Sequence, residues 1–230
     1  MKKTLLISCL LAFGILFAAT IAHAGTVAMG FTGAEGNNSG GVYTYPYNFT
    51  LNGSGNYQLM CTTFTKQISP GEQWDATTLT VDTLNSVNVL GLEFPSAGVT
   101  GYLEASYLFV EEANAFSGGN TDPKGLYNWA VWDLLTGQDV SGSNLGTGDE
   151  AQVQTYLNAA VALSNGGSLT PLQFNNVVIY TPTDMSASGP QEFFGYGTPV
   201  GTPVPEPGTL ALVGFGVLGL AGVLRRKLIS

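Results

Sequence analysis

The chain has 230 residues and a formal net charge of −9 at pH 7, with 44% hydrophobic and only 10% charged residues. Fifteen of its sixteen acidic side chains lie between Glu35 and Glu192, where the basic side chains are Lys66 and Lys124. A body with this charge repels polyanions, which excludes nucleic acid as a direct partner and disfavours anionic ligands.

The first 24 residues have the layout of a secretory signal peptide. Lys2 and Lys3 form a positive start, an apolar run follows, and a small-x-small site ends at Ala24. The pattern predicts cleavage by signal peptidase between Ala24 and Gly25, with an uncleaved anchor helix as the alternative. The exported chain then has no histidine, which excludes a Ser-His-Asp triad and a Cys/His metal site. No cofactor is expected.

Residues 25–185 are predicted to form one extracytoplasmic domain. Short runs rich in β-branched and aromatic residues alternate with Gly-rich punctuation, and these runs predict strands. Pro46 indicates an edge position or a break in the first of them. The predicted strands cover 42–51, 57–64, 77–84 and 174–181.

The middle of the body changes to a helical pattern. Helices are predicted over 101–116 and 126–135, and a third starts at Asp149, where Asp149 and Gln152 fit a capping box. Asn165-Gly166 fits a left-handed stop for that helix. The fold class is therefore α+β, with a β-sheet scaffold and about three helices in the middle of the body.

The chain after residue 185 divides into a linker and a tail. Residues 186–203 are rich in Gly, Pro and Ser and predict a linker. Residues 208–224 carry no charge, and a basic stretch, 225–230, follows them. This pattern predicts a C-terminal transmembrane helix with the body outside and the tail inside, and a buried soluble helix is the alternative.

The tail, residues 204–230, resembles the PEP-CTERM sorting signal. Its parts stand in the order of that signal: a Pro-Glu-Pro motif, a short apolar helix and a basic cluster. The residues that carry the resemblance are Val204, Pro205, Glu206, Pro207, Arg225, Arg226 and Lys227. The resemblance implies export in a Gram-negative, exopolysaccharide-producing bacterium and a transient stay in the inner membrane. An exosortase would then cut the chain near Pro-Glu-Pro and release it to the cell surface or extracellular matrix, as in a biofilm.

Residues 57–136 resemble the thioester (TQXA) domains of Gram-positive surface adhesins. In that family a Cys is cross-linked to the Gln of a Gln-x-Ala-Ile/Val-Trp motif. Here Cys61 follows an apolar strand, and the second motif reads Asn-Trp-Ala-Val-Trp from Asn128. The resemblance implies a thioester-like Cys61–Asn128 pair, although Asn128 replaces the family's Gln and is one methylene shorter. The alternative is a scaffold without the chemistry, in which Cys61 is buried and Asn128 bonds to the backbone.

Two further groups of residues suggest ligand binding or catalysis. Trp74, in a predicted polar loop, is a candidate for stacking on a sugar. Glu104, Glu111 and Glu112 lie on one predicted helix and could include a glycosidase pair, but a solvated acidic face explains them more simply. EF-hand spacing is lacking, so no metal site is predicted.

These features favour a non-enzymatic protein of the cell surface or exopolysaccharide matrix, with an adhesin-like or structural role. Two alternatives stay open. One is a covalent binder that acts through Cys61 and Asn128. The other is a carbohydrate-binding module of the matrix. The expected partners are signal peptidase, exosortase and, outside the cell, polysaccharide or surface proteins.

Overall fold

The computed structural model describes residues 25–35, 38–117, 125–137 and 144–197. Eight strands and three α-helices lie in these ranges, with short 3-10 turns between them. The strands are β1 (Thr26–Ala34), β2 (Asn38–Ser39), β3 (Val42–Tyr43), β4 (Tyr47–Leu51), β5 (Ser54–Cys61), β6 (Gln73–Thr80), β7 (Val177–Pro182) and β8 (Phe193–Tyr196). The helices are α1 (Gly98–Ser117), α2 (Leu126–Thr136) and α3 (Thr147–Asn165).

Six strands form a closed antiparallel barrel in the order β1-β4-β5-β8-β7-β6. Pairing of β1 with β6, for example Met29 opposite Trp74, closes the ring, while β2 and β3 make a separate two-stranded sheet. Closure leaves the barrel without free edges. A β scaffold with three helices in the middle of the chain confirms the α+β class.

Aromatic side chains fill the barrel interior. Phe49 and Phe193 have ring centroids 4.7 Å apart, and Trp74 contacts both rings. Phe31 packs against Phe49 at 5.2 Å. Period-two alternation along the strands brings these large side chains to one side of the sheet, and their burial supplies much of the apolar contact area of the fold.

Helix α1 packs its buried face against the outside of the barrel. Phe109 stacks on Phe194 of β8 with centroids 6.1 Å apart, and Tyr102 contacts the same ring. Helix α2 is mostly buried and packs against both α1 and α3. The helical layer therefore covers the face of the β5–β8 region opposite to the barrel interior.

The expected linker over 186–203 is wrong for its first part, since residues 193–196 form β8 inside the barrel. The body domain extends past residue 185, because β8 bridges β5 and β7 and the barrel has a gap without it. Its sequence Phe-Phe-Gly-Tyr is short and surrounded by Gly, Pro and Ser, and this composition hid the strand.

Both ends of the third helix also differ from the expected ones. Helix α3 begins at Thr147 with Gly146 as its N-cap and no side-chain cap bond, so the capping box at Asp149 is wrong. Asp149 lies instead in the first turn, where its charge favours the helix dipole. The left-handed residue after the helix is Gly167, because Gly166 keeps a right-handed conformation.

The predicted signal peptide, transmembrane helix and sorting motif lie outside the described residues. Among the helices that the structure describes, none is both long and apolar enough to cross a membrane. The transmembrane helix over 208–224 stays a prediction.

Candidate functional site

The last residue of β5, Cys61, lies directly beneath helix α2. Its backbone carbonyl accepts two hydrogen bonds from that helix, one from Asn128 Nδ2 at 2.9 Å and one from Trp132 Nε1 at 3.1 Å. Asn128 and Trp132 are four residues apart and so share one face of the helix. The structure therefore brings together the two residues that the sequence had paired, Cys61 and Asn128.

The Asn128 amide also connects α2 to the segment before β4. Its Oδ1 accepts a hydrogen bond from the backbone N–H of Tyr45 at 3.0 Å, while its Nδ2 donates to Cys61. These two partners fix the orientation of the amide. Asn128 is fully buried, so each of these bonds replaces one that water would otherwise make.

A glycine allows α2 to approach this segment closely. Gly125 caps the helix with φ of 61°, in the left-handed region. A Cβ at Gly125 would lie only 2.0 Å from Thr44 Oγ1. Any other residue at position 125 would push the helix away from Thr44 and Tyr45, and the Asn128 bonds would lengthen.

The thiol of Cys61 is buried among hydrogen-bond donors. Burial raises its pKa to about 11, although the nearby donor groups of Tyr47, Trp132 and Asn128 act in the opposite direction by favouring the thiolate. At neutral pH the group is therefore a protonated thiol. Such a thiol is a poor nucleophile until a base removes its proton.

A cavity of about 540 Å³ lies over Cys61 at one end of the barrel interior. Its deeper walls include Phe31, Tyr47 and Trp132, and the exposed residues Tyr43 and Gln67 lie at its solvent side. The volume falls within the range of roughly 300–1,000 Å³ that small-molecule sites occupy.

Two polar side chains that line this cavity are buried without a partner. Thr63 Oγ1 and Gln191 Oε1 have no hydrogen bond to any part of the chain that the structure describes, and both residues are 3% exposed. Sequence reasoning missed both residues. Thr63 lies two positions after Cys61, so strand alternation could have placed it on the same face. Gln191 lay in the expected linker and gave no signal.

A second buried polar cluster lies on the opposite face of the same segments. Glu192 is fully buried, and its carboxylate accepts hydrogen bonds from Tyr102 OH at 2.8 Å, Thr181 Oγ1 at 2.6 Å and the Glu93 N–H at 3.0 Å. Burial raises its pKa to about 7 despite these donors. Glu93 also forms an ion pair of 2.7 Å with Lys66. This cluster was not predicted.

The other predicted site residues lie elsewhere. Trp74 belongs to strand β6 and not to a polar loop, and its ring contacts Phe49 and Phe193 of the barrel interior. A stack on an external sugar would have to compete with these contacts. The solvated acidic face on α1 is wrong for Glu104 and Glu112, which are 6% and 2% exposed.

The residues needed for sorting and signal cleavage lie outside the described part of the chain, except for Gly25. Within the described ranges, no group of three or more His, Cys, Asp or Glu side chains is placed to hold a metal ion. The cavity over Cys61 is therefore the candidate site that the geometry supports best.

The solved structures that the chain resembles include two domains of streptococcal adhesins. One is the N-terminal domain of the Streptococcus pyogenes pilus tip adhesin Cpa, with 16% identity and a TM-score of 0.40 over 78% of this chain and 95% of that one. The other is the N-terminal thioester domain of fibronectin-binding protein SfbI from Streptococcus pyogenes, with 12% identity and a TM-score of 0.42 over 78% and 97%. No curated protein matches the chain.

Comparison with protein families identifies the C-terminal segment. Residues 203–227 match the PEP-CTERM protein-sorting motif, which confirms the resemblance stated for the tail. The motif implies export, processing by signal peptidase and an exosortase, and a membrane-held stage during sorting. The chain therefore carries the sorting signal of an exosortase substrate.

Proposed function

We propose that this protein is a non-enzymatic binding protein of the cell surface or extracellular matrix, delivered there by exosortase sorting. The sorting motif at 203–227 is the observation that carries the proposal, because it supplies the route of export. The acidic body, in which Lys66 and Lys124 stand against fifteen acids, fits a soluble extracellular domain that repels anionic partners. A Gram-negative host is part of this proposal.

The chemistry of the cavity supports binding rather than catalysis. Cys61 is held as a neutral thiol, and the exported chain has no histidine to take its proton. Glu192 could act as a proton acceptor, but its carboxylate lies on the other face of the segment and is occupied by three donors. Lys66 is held in an ion pair with Glu93. General acid-base catalysis needs a group within hydrogen-bond reach of the reacting atom, and these groups are engaged elsewhere.

Two variants test the sorting route. Deletion of residues 205–230 removes the Pro-Glu-Pro motif, the apolar segment and the basic cluster. The variant should leave the sorting pathway and no longer accumulate at the surface or in the matrix. The triple substitution P205A/E206A/P207A keeps the apolar segment and should leave the uncut protein in the inner membrane. Fractionation and immunoblotting measure both. An unchanged distribution of the deletion variant would contradict the proposal.

A second candidate is covalent attachment through Cys61 and Asn128. The observation that favours it is the contact between the Asn128 amide and the Cys61 residue, together with the Tyr45 N–H on Oδ1. In this reaction the Cys61 sulfur would bond to Asn128 Cγ, the Cγ–Nδ2 bond would break, and the thiol proton would leave with the nitrogen as ammonia. The Tyr45 N–H would stabilise the negative charge that develops on Oδ1.

Methylamine distinguishes this candidate from simple binding. A thioester would accept methylamine at Asn128 and free the Cys61 thiol, so the mass of the protein would rise by one methylamine. Cys61→Ser is the control that abolishes the effect. If the wild-type protein keeps the amide nitrogen of Asn128 and gains no methylamine, the covalent candidate is wrong. The binding proposal is unaffected by that result.

A further inference from the structure

We infer that Tyr127 and Tyr156 form an oxidative cross-linking site, at which a dityrosine bond joins helix α2 to helix α3. Tyr127 lies in the first turn of α2, and Tyr156 lies in the middle of α3. Their rings are stacked with centroids 3.7 Å apart and planes inclined by 10°. The next shortest centroid distance among the described residues is 4.7 Å, between Phe49 and Phe193. The two phenol rings are therefore already in face-to-face contact.

The hydroxyl groups of the two rings lie at the same end of the stack. Burial raises the pKa of Tyr127, and the neighbouring Tyr156 hydroxyl raises it further. In two parallel phenols with this orientation, the ring carbons beside one hydroxyl, Cε1 and Cε2, face the corresponding carbons of the other ring. Phenoxyl radicals couple at these carbons. A centroid distance of 3.7 Å also leaves little room for the offset that stacked rings prefer, so the contact differs from ordinary aromatic packing.

The reaction is a two-electron oxidation whose oxidant would be hydrogen peroxide, used by an extracellular haem peroxidase. Each tyrosine loses one electron and its hydroxyl proton and becomes a phenoxyl radical. One molecule of peroxide takes up the two electrons and the two protons and becomes two molecules of water. The radicals join through a Cε–Cε bond, and the hydrogen on each bonded carbon moves to the oxygen of its own ring. The product has two phenols again, and the protein has lost two hydrogen atoms.

The surroundings of the pair suit this reaction. Both rings are half-buried, so an oxidant at the protein surface can reach them. The carboxylate of Glu111 on α1 also acts on the Tyr127 hydroxyl, after burial and Tyr156, and offers an acceptor for the proton that leaves it. Among the ring contacts of the described residues, no other joins two tyrosines. The stacked pair is therefore the place in this part of the chain where one oxidised tyrosine meets a second.

A bond at this position would stabilise the helical layer. Helix α3 is held by a narrow apolar face, since its buried residues are Val153, Leu157 and Ala160. A cross-link between α2 and α3 closes a loop of the chain and lowers the conformational entropy of the unfolded state. The inference rests on the proposed extracellular location only for the source of the oxidant.

The test treats full-length protein, in detergent and at low concentration, with a haem peroxidase and hydrogen peroxide. Low concentration disfavours bonds between molecules. Dityrosine fluorescence, intact mass and mapping of proteolytic peptides measure the product. Tyr127→Phe and Tyr156→Phe each keep the ring and remove the hydroxyl. Tyr196→Phe is the matched control, because Tyr196 is 41% exposed and its ring contacts Phe109 rather than a tyrosine.

We expect the wild-type protein to lose two hydrogen atoms and to yield a linked pair of peptides that contain Tyr127 and Tyr156. Tyr127→Phe and Tyr156→Phe should abolish that product, and Tyr196→Phe should form it in wild-type yield. The melting temperature of the oxidised wild type should rise by about 5 °C or more, as expected for a cross-link that closes a loop of this length. Oxidised Tyr156→Phe should show no such rise.

Three results would overturn the inference. One is wild-type protein that forms no dityrosine within the molecule. Another is a product that joins other tyrosines, or one that persists in Tyr127→Phe or Tyr156→Phe. The third is a loss of yield in Tyr196→Phe equal to that in Tyr156→Phe, which would show that exposure and not stacking selects the reacting residues. None of these results bears on the sorting route, which the deletion of residues 205–230 tests separately.

Discussion

The two faces of the segment formed by residues 62–63 and 191–192 make opposite use of buried polar groups. On the face toward α1, Glu192 has every carboxylate oxygen bonded, and Thr62 donates to its backbone carbonyl from both N and Oγ1 at 3.0 Å. On the face toward the barrel interior, Thr63 and Gln191 line a cavity, and their buried oxygens Oγ1 and Oε1 have no partner among the described residues. Neighbouring residues therefore differ: the polar groups of one pair are bonded across the fold, and each side chain of the other pair has an oxygen without a partner among the described residues.

Strand alternation explains the difference. Cys61 pairs with Phe193 at the end of the β5–β8 ladder, and the ladder continues when the Thr62 N–H bonds to the Glu192 carbonyl. Successive side chains point to opposite sides of a strand. Odd-numbered positions here face the interior and the cavity, and even-numbered positions face helix α1.

The largest expected effect comes from breaking the bonded face. Glu192→Leu leaves the Tyr102 and Thr181 hydroxyls and the Glu93 N–H without their acceptor. We expect a loss of roughly 3–5 kcal/mol in the free energy of unfolding, the range for a disrupted buried polar network. Gln191→Leu, one residue away, should change it by less than about 1 kcal/mol. Chemical denaturation measures the free energy of unfolding of both variants. Equal losses in Glu192→Leu and Gln191→Leu would contradict the difference between the two faces.

The pH dependence of stability gives the next largest effect. The pKa of Glu192 is about 7 in the folded protein and 4.5 is its ordinary value, so the folded state holds the proton more tightly. Its contribution is fully present below pH 4.5 and is lost as the pH rises through 7. We expect stability to fall by up to about 3 kcal/mol over this window.

The control for this pH effect is Glu192→Gln, which mimics the protonated carboxyl group and should flatten the profile between pH 5 and pH 8. Thermal unfolding at a series of pH values measures it. A wild-type profile that is already flat, or a fall that persists in Glu192→Gln, would assign the titration to another group.

A smaller effect is expected at the contact beneath α2. Asn128→Leu leaves the Tyr45 N–H without an acceptor, but the Cys61 carbonyl keeps its bond from Trp132. We expect a loss of about 2 kcal/mol. The hydrogen bond from Trp132 is tested in the same way. Trp132→His keeps a ring N–H near the Cys61 carbonyl and Trp132→Phe does not, so the difference in their stability separates the contribution of the hydrogen bond from that of packing. Denaturation curves in which Asn128→Leu matches the wild type would show that the amide bonds contribute nothing.

The sequence predicted the parts of this fold that repeat along the chain. Alternation and apolar periodicity located four of the six barrel strands and all three helices, but β1 was missed. The sorting signal was predicted from composition and motif order, and the match of residues 203–227 to the PEP-CTERM protein-sorting motif confirms it. Each of these signals is local, so a single sequence was sufficient.

Features that depend on tertiary pairing were not predicted. Strand β8 is four residues long and has no pattern of its own, so its place between β5 and β7 follows only from closure of the barrel. The burial of Glu192, Glu104 and Glu112 depends on the partners that reach them across the fold. Trp74 was misplaced because polar neighbours in sequence said nothing about Phe49 and Phe193.

The intact mass of the extracellular protein, purified without reductant, tests both the sorting route and the state of Cys61 and Asn128. We predict a chain that begins at Gly25 and ends near Pro205 to Pro207. It should keep the side-chain amide of Asn128 and the free thiol of Cys61. This mass would establish a sorted protein in which Cys61 and Asn128 are not cross-linked. A mass that includes residues 208–230 would contradict the sorting route, and a mass lower by one ammonia would contradict the non-covalent site.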